Sequence, residues 1–125
     1  MLGGAGKFFQ ALTEQLVAYA RSEFVLTAPQ DDGKPLRDHL LSLWRQERVQ
    51  PEQLANAPTL PNLAAYLWEY FVDLRSTSGV SIAGRVSAQE VRDWSWVEGV
   101  TLSRWERRTL RAMDAAWVKE ATNGR

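Results

Sequence analysis

Few side chains in this sequence are of the types that perform catalytic chemistry. The 125 residues include a single histidine, His39, and no cysteine. The lack of cysteine excludes disulfides, thiol catalysis, iron–sulfur clusters and cysteine-ligated zinc. His39 lies between Asp38 and Leu40 in a predicted helix, a position more typical of a helix-surface or core-edge residue than of a general base. We therefore expect no catalytic residue, no metal site and no cofactor.

Two carboxylate pairs are the next candidates for chemistry. Glu69 with Asp73, and Glu90 with Asp93, stand at the spacing of neighbours on a helix. Two such acids can share a proton or a cation, but neither pair has a histidine or a third acid nearby in the sequence. These pairs are typical of surface charge, and the sequence indicates a protein that is not an enzyme.

Four arginines form the clearest charged pattern, at positions i, i+3, i+4 and i+7 of the last predicted helix. They are Arg104, Arg107, Arg108 and Arg111. This spacing places them on one helix face. The chain has twelve arginines and three lysines, which favours bidentate pairing with carboxylates or phosphates. The face could bind an acidic protein segment or a nucleic-acid backbone. Alternatively, it is a solvated face whose charge is partly compensated by Glu106 and Asp114.

The sequence is also rich in tryptophan, with six residues of this type. They are Trp44, Trp68, Trp94, Trp96, Trp105 and Trp117. Most are expected to fill the core of a small helical domain, but an exposed tryptophan is a strong anchor for a partner. Trp94 and Trp96 are two residues apart, which is about 200° around a helix. They cannot both face the same core, so one of them is the best candidate for a partner-facing aromatic.

Helical periodicity predicts an all-α fold. Apolar residues recur at three- and four-residue steps through most of the chain. The predicted helices cover, in order, residues 7–24, a segment beginning at Pro35, short turns at 51–55, a segment following Pro61, residues 88–97 and residues 104–121. We expect a compact bundle of about five helices with a short sixth, and the longest loop at residues 76–85.

Two of these helices carry apolar stripes that are expected to face the core. The stripe of the second helix consists of Leu36, Leu40, Leu43 and Trp44. The helix after Pro61 carries a wider stripe, formed by Leu60, Leu63, Ala64, Leu67, Phe71 and Leu74. A helix that is apolar over so wide an arc should lie at the centre of the fold.

Two helix starts carry the same capping signal. Ser87 with Glu90, and Ser103 with Glu106, match the Ser-x-x-Glu capping box. The segment 88–111 therefore resembles a helix-turn-helix unit, and a small DNA-binding regulator is an alternative function. Against it stand the zero net charge and the lack of Gln, Asn or Ser between the arginines for reading bases. Nucleic acid is an unlikely partner on these grounds.

Composition favours one domain and argues against a membrane protein. Hydrophobic residues make up 45% of the chain and charged residues 24%, ordinary values for a globular domain. No apolar run is long enough to span a membrane, and the first residues do not form a secretory signal. A cytoplasmic location is expected. The segment 1–33 is predicted as an amphipathic helix and linker, 34–121 as the core domain and 122–125 as a tail.

Six segments in a fixed order resemble the tail assembly chaperones of long-tailed bacteriophages and prophages. They are residues 34–40 (KPLRDHL), 50–54 (QPEQL), 63–74 (LAAYLWEYFVDL), 86–94 (VSAQEVRDW), 102–106 (LSRWE) and 110–116 (LRAMDAA). The resemblance extends over about two-thirds of the chain. It implies a small, largely helical, non-enzymatic protein of the bacterial host cytoplasm. Its expected partner is the phage tape measure protein, with the tail tube protein as a second candidate.

The resemblance also suggests how the aromatic surplus is used. A tape measure protein is a long helix with apolar stripes, and capture in a groove would shield them. The expected apolar contacts are Trp68, Phe71, Trp94, Trp96 and Trp105. The expected charged rim consists of Arg104, Arg107, Arg108 and Arg111. A phage protein that binds a host protein is a further alternative. An exposed apolar face on the first helix, formed by Phe8, Phe9, Leu12 and Leu16, would favour a homo-oligomer.

Overall fold

The computed structural model describes residues 3–123, with side chains from residue 6 onward. Within that range the chain is all-α, as predicted, and contains no strand. The helices are α1 (Gly3–Thr27), α2 (Leu36–Glu47), α3 (Glu52–Ala55), α4 (Ala65–Ser78), α5 (Ala88–Glu98) and α6 (Arg104–Asn123), with a 3₁₀ turn at Asn62–Ala64. None of these helices has the length and apolar character needed to cross a bilayer. The expected tail begins inside α6, and residues 124–125 lie outside the described part.

Helices α1 and α6 form the longest packed pair, and they run in the same direction. The hydroxyl oxygens of Thr13 and Thr109 lie 3.0 Å apart near one end of the pair. The rings of Phe24 and Trp117 meet at 4.9 Å further along both helices. Parallel helices cannot be joined by a tight turn, so the segment containing α2–α5 forms a long crossover between them.

Helix α4 lies at the centre of the fold, as its wide apolar arc predicts. Leu67, Phe71 and Leu74 are fully buried along its length. Trp68 stacks its ring 5.5 Å from Phe71 and 6.3 Å from Trp117 of α6. Because aromatic rings bury a large area, this cluster supplies much of the hydrophobic free energy that holds α4 against α6.

The predicted helical stripes are wrong at two places. Leu63 was expected in the stripe of α4 but is 72% exposed. It lies in the 3₁₀ turn, where residues advance by a different angle from that of an α-helix, so the stripe does not extend back to it. In α2, Leu40 is buried, whereas Leu43 and Trp44 are about 40% exposed. Helix α2 packs chiefly against α1, and every residue from Leu43 to the end of the helix is exposed.

The first half of α2 is held by one ion pair to α1 and by a contact to the short connection that precedes it. The Arg37 guanidinium pairs with the Glu23 carboxylate of α1. His39 Nε2 lies 3.0 Å from the Asp32 carboxylate in the preceding turn. His39 is thus a helix-surface residue with a structural partner, as the sequence indicates. The second half of α2 continues from this anchor towards solvent.

The connection between α4 and α5 begins three residues later than predicted. Helix α4 continues through Ser78, and Gly79 ends it in the left-handed region at φ 76°. The loop therefore spans residues 79–87. It is fastened by Arg75 of α4, which donates to the backbone carbonyl oxygens of Gly84 at 3.0 Å and Ser81 at 3.1 Å.

A buried carboxylate fixes the same loop to α6. Asp114 is 1% exposed, and its Oδ1 accepts a hydrogen bond from Arg75 Nη1. Its Oδ2 accepts from Arg85 Nε and from the backbone N–H of Val86, both at 2.9 Å. Since a buried charge is stable only when it is paired and hydrogen-bonded, this network determines how the start of α5 is positioned against α6.

Candidate partner-binding surface

Helix α5 is defined by capping at both ends. The Ser87 hydroxyl oxygen accepts from the Glu90 N–H at 3.0 Å, and the Ser87 N–H donates to the Glu90 carboxylate at 2.9 Å. This is the predicted capping box. Gly99 ends the helix in the left-handed region at φ 68°. Fixed ends set the rotation of α5 and hence the directions of its side chains.

The two tryptophans of α5 have opposite environments, as their spacing predicts. Trp94 is 8% exposed, and its Nε1–H donates to the Asp73 carboxylate of α4 at 2.8 Å. Its ring also packs 5.3 Å from that of Tyr70. Trp96 is 82% exposed, the highest value among the large hydrophobic residues described. The partner-facing candidate of the pair is therefore Trp96.

Beside these tryptophans, α4 and α5 enclose a groove of about 320 Å³. It is lined by Leu74, Thr77, Ser78, Glu90, Asp93, Trp94, Val97 and Glu98. A second depression of about 380 Å³ lies on the outer side of α5, lined by Arg92, Asp93, Trp96 and Val97. Asp93 and Val97 border both depressions. The two depressions therefore form one continuous region, which we call the α5 groove surface.

The charged rim of the α5 groove surface is acidic. It carries the carboxylates of Glu90, Asp93 and Glu98 and one cationic side chain, Arg92. Arg92 Nε lies 3.7 Å from the Asp93 carboxylate, and both side chains are well exposed. None of the four arginines expected as a rim lines either depression. A ligand of this surface must therefore offer apolar groups accompanied by basic ones.

The four arginines lie on a different face, the solvent side of α6. Arg104, Arg107, Arg108 and Arg111 are all exposed. Among the described residues, none of them comes within 4 Å of a carboxylate oxygen. We call this row the α6 arginine face.

The compensation of these charges by Glu106 and Asp114, which was one alternative, is not found. Asp114 lies on the buried side of α6 and pairs with Arg75 and Arg85. Glu106 accepts hydrogen bonds from the Ser103 N–H and from the Tyr66 hydroxyl, both at 2.7 Å. The α6 arginine face therefore presents its positive charge to solvent.

The pairing of Tyr66 with Glu106 shifts the pKa of both groups. Burial, together with donation to the Glu106 carboxylate, raises the pKa of the Tyr66 hydroxyl to about 12. Burial alone would raise the pKa of Glu106, but hydrogen bonds from Ser103 and Tyr66 outweigh it and hold that pKa below its ordinary value. Glu106 is thus an ionised cap of α6 and not a proton donor.

The other predicted contact residues are more enclosed. Phe71 is 1% exposed, and Trp68 packs in the aromatic cluster beside it. Trp105 is half-buried, with its Nε1–H donating to Thr13 Oγ1 at 2.8 Å and its ring 4.9 Å from Phe9. Trp105 and the exposed ring of Phe9 together form an aromatic edge at the start of α6, beside the α6 arginine face.

The expected apolar face of α1 is divided in the same way. Phe8 and Phe9 are exposed, whereas Leu12 and Leu16 are buried. The buried pair forms part of the core. The exposed part of this predicted face is therefore confined to the first turns of α1.

Comparison with known proteins identifies the family. A family model described as phage tail assembly chaperone matches residues 43–119, which is more than half of the chain. The chain belongs to the phage tail assembly chaperone family. No curated protein and no solved structure matches it.

The matched region includes the surfaces described above. Residues 43–119 contain the second half of α2, all of α4 and α5 and most of α6. The α5 groove surface and the α6 arginine face both lie inside this chaperone region, whereas α1 lies outside it. The family gives no support to the alternative that residues 88–111 form a helix-turn-helix unit. In the structure, α5 packs chiefly on α4.

Two features of the site were missed in the sequence. Val97 is 70% exposed beside Trp96, and its position next to a candidate anchor was the available signal. The acidic rim was also detectable, because Glu90 and Asp93 had been recognised as surface charge without being connected to Trp96. Within residues 3–123, no group of three or more histidine or acidic side chains comes together that could hold a metal ion.

Proposed function

We propose that this chain is a non-enzymatic chaperone that binds the phage tape measure protein in the host cytoplasm before the tail tube assembles. The observation that carries the proposal is the exposed Trp96 beside the apolar groove between α4 and α5. Membership of the phage tail assembly chaperone family supports a tail protein as the partner.

The α5 groove surface has the features needed to hold an amphipathic helix. Helix-in-groove recognition uses apolar residues at i, i+3, i+4 and i+7 of the bound helix. Trp96 and Val97 offer exposed apolar area next to a depression that reaches Leu74. Rigid aromatic residues carry much of the energy in such interfaces. Because Glu90, Asp93 and Glu98 surround the groove, the bound segment should carry lysine or arginine beside its apolar stripe.

We assign the α6 arginine face to a second contact with the same partner. Arg104 and Arg108 are exposed and unpaired with carboxylates among the described residues, and the aromatic edge of Trp105 and Phe9 lies nearby. An acidic stretch of the partner, or of the tail tube protein, would neutralise this charge. Contacts of this exposed kind weaken as salt is added, whereas the groove contact should persist.

Co-expression with the tape measure protein of the same phage tests the proposal. The chain should co-purify with it at about 0.3 M salt, where exposed ionic contacts are largely screened. The variant Trp96→Ala should lower the affinity about tenfold or more, because it removes the anchor. Leu63→Ala is the matched control, since Leu63 is 72% exposed but lies outside the groove.

Two outcomes would overturn this assignment. If the tape measure protein stays insoluble and is not retained by the wild-type chain, the partner is wrong. If Trp96→Ala and Leu63→Ala bind equally well, the partner is right but the α5 groove surface is not its site. The variant Arg104→Glu/Arg108→Glu then examines the α6 arginine face, with a loss of binding expected at low salt only.

A further inference from the structure

The α5 groove surface and the α6 arginine face are joined by a short, anchored connection. Helix α5 ends at Glu98, and α6 begins at Arg104. Between them the side chain of Leu102 is buried, and its carbonyl oxygen accepts a hydrogen bond from Arg107 Nη1 at 2.7 Å. Because the connection is held both in the core and to α6, the two surfaces keep a fixed separation.

The start of α5 is also fastened to α6. The Val86 N–H and Arg85 Nε, just before α5, both donate to the Asp114 carboxylate at 2.9 Å. The two attachments of α5 are therefore at Asp114 and, through the connection, at Arg104. All four arginines of the α6 arginine face lie between these two points of α6.

These neighbouring surfaces carry opposite charges that do not neutralise each other. The α5 groove surface presents the carboxylates of Glu90, Asp93 and Glu98. Among the described residues, none of them lies within 4 Å of an arginine of the α6 arginine face. No residue of α6 lines either depression. A ligand that extends past the edge of the groove therefore meets acidic and basic surface in turn.

The separation of the two surfaces fits a single helix. The step from Glu98 to Arg104 covers at most about 20 Å, even for a fully extended chain. A helix rises about 1.5 Å per residue, so about 13 residues cover that distance. One bound helix of about six turns is therefore long enough to contact both surfaces.

We propose that one amphipathic helix of the partner lies on both surfaces at once. Its apolar block, flanked by lysine or arginine, covers Trp96 and the groove. A block of aspartate or glutamate, within about four turns of the first, pairs with Arg104 and Arg108. This inference rests on the proposed function, which assigns both contacts to the same partner.

The order of charge along the bound helix is then a determinant of specificity. A helix whose two blocks have the same sign would meet like charge at one of the surfaces, which disfavours binding. With the matching order, binding of the apolar block holds the acidic block near the arginines at a high effective concentration. The joined contacts should therefore bind more tightly than the groove contact alone.

Designed helical peptides of about 24 residues test the proposal with the full-length chain. All carry the same leucine stripe flanked by lysine, and they differ only in the second block, which is glutamate, glutamine or lysine. Fluorescence anisotropy of the labelled peptides should give the glutamate peptide a Kd at least about tenfold below that of the glutamine peptide. The lysine peptide should bind no more tightly than the glutamine peptide.

The variant Arg104→Glu/Arg108→Glu should invert this ranking. The lysine peptide should then bind most tightly, whereas the affinity of the glutamine peptide should stay that of wild type. Both positions are exposed at the start of α6, where negative charge suits the helix dipole, so the variant should fold. Lys34→Glu/Lys119→Glu makes the same change in net charge at exposed positions elsewhere and should keep the wild-type ranking.

Two results would overturn the proposal. Equal affinities of the glutamate and glutamine peptides for wild type would mean that the acidic block makes no contact. A gain for the glutamate peptide that persists in Arg104→Glu/Arg108→Glu would mean that the acidic block binds somewhere other than the α6 arginine face.

Failure of this proposal can be told apart from failure of the proposed function, because the peptides contain no tape measure sequence. If the peptides show the expected ranking but the tape measure protein is not captured, only the identity of the partner is wrong. If capture of the tape measure protein depends on Trp96 while the glutamate and glutamine peptides bind equally, only the joint contact is wrong.

Discussion

Helices α5 and α6 begin with the same Ser-x-x-Glu capping box, yet their surroundings differ. Seven side chains of α6 are buried between its neighbours, including Leu110, Met113 and Asp114. In α5 only Val91 and Trp94 are buried. The reason is packing: α6 lies against both α1 and α4, whereas α5 rests chiefly on α4.

This difference separates the residues that hold the fold from those available to a partner. A capping box determines where a helix starts, but the number of neighbouring helices determines how many of its faces are covered. Helix α5 has apolar residues beyond the single face that α4 covers, and these form the α5 groove surface. Helix α6 uses most of its apolar face in the core and leaves arginines outside.

The largest difference in stability is expected between two truncations, one of a buried aromatic residue and one of an exposed aromatic residue. Phe71→Ala should lower the free energy of unfolding by about 3–5 kcal/mol, since it opens a cavity in the cluster around Trp68. Trp96→Ala should change it by no more than about 0.5 kcal/mol, because the side chain is already in water. Urea denaturation followed by circular dichroism measures both. A large destabilisation by Trp96→Ala would mean that the tryptophan belongs to the fold.

A smaller loss of stability is expected when the carboxylate that joins α6 to the start of α5 is removed. Asp114→Ala removes hydrogen bonds from Arg75, Arg85 and the Val86 N–H and should cost about 2–3 kcal/mol. Arg75 keeps its bonds to the loop carbonyls, which limits the loss. Hydrogen exchange should rise most in residues 79–87. Asp93→Ala, on the outer side of α5, is the matched control, and equal destabilisation by both variants would contradict the role of Asp114.

The helices themselves were predictable because their signals are local. Apolar periodicity, proline positions and the capping boxes at Ser87 and Ser103 depend on residues within one or two turns of each other. The opposite orientation of Trp94 and Trp96 follows from the same local geometry. The errors at Leu63 and Trp44 arise where a stripe passes beyond the α-helix or beyond the neighbour that should cover it.

The surroundings of the site depend on contacts between distant parts of the sequence. Asp114 was interpreted as compensation for nearby arginines, but it is buried and pairs with Arg75, 39 residues away. The arginines of α6 were expected around the groove, but the groove is formed by α4 with α5, and its rim is acidic. No pattern within one helix specifies which other helix will lie beside it.

The smallest effect concerns the cap of α6 and its dependence on pH. The pKa of Glu106 is lowered in the folded chain from an ordinary value of 4.5, so its ionised form stabilises the fold above that pH. This contribution is lost as the pH falls through the lowered value. Between pH 6 and pH 3, the wild type should therefore lose more stability than Glu106→Gln, which keeps the side-chain size but cannot be protonated.

The Tyr66→Phe variant identifies the source of that dependence. It removes the hydroxyl that donates to Glu106 at 2.7 Å and leaves the bond from the Ser103 N–H in place. The pKa of Glu106 should then return part of the way towards its ordinary value. The stability that this variant loses between pH 6 and pH 3 should therefore lie between the losses of wild type and Glu106→Gln. Urea midpoints measured at both pH values provide the comparison. If Tyr66→Phe behaves like wild type, the cap of α6 depends on Ser103 alone, as the capping box of α5 depends on Ser87.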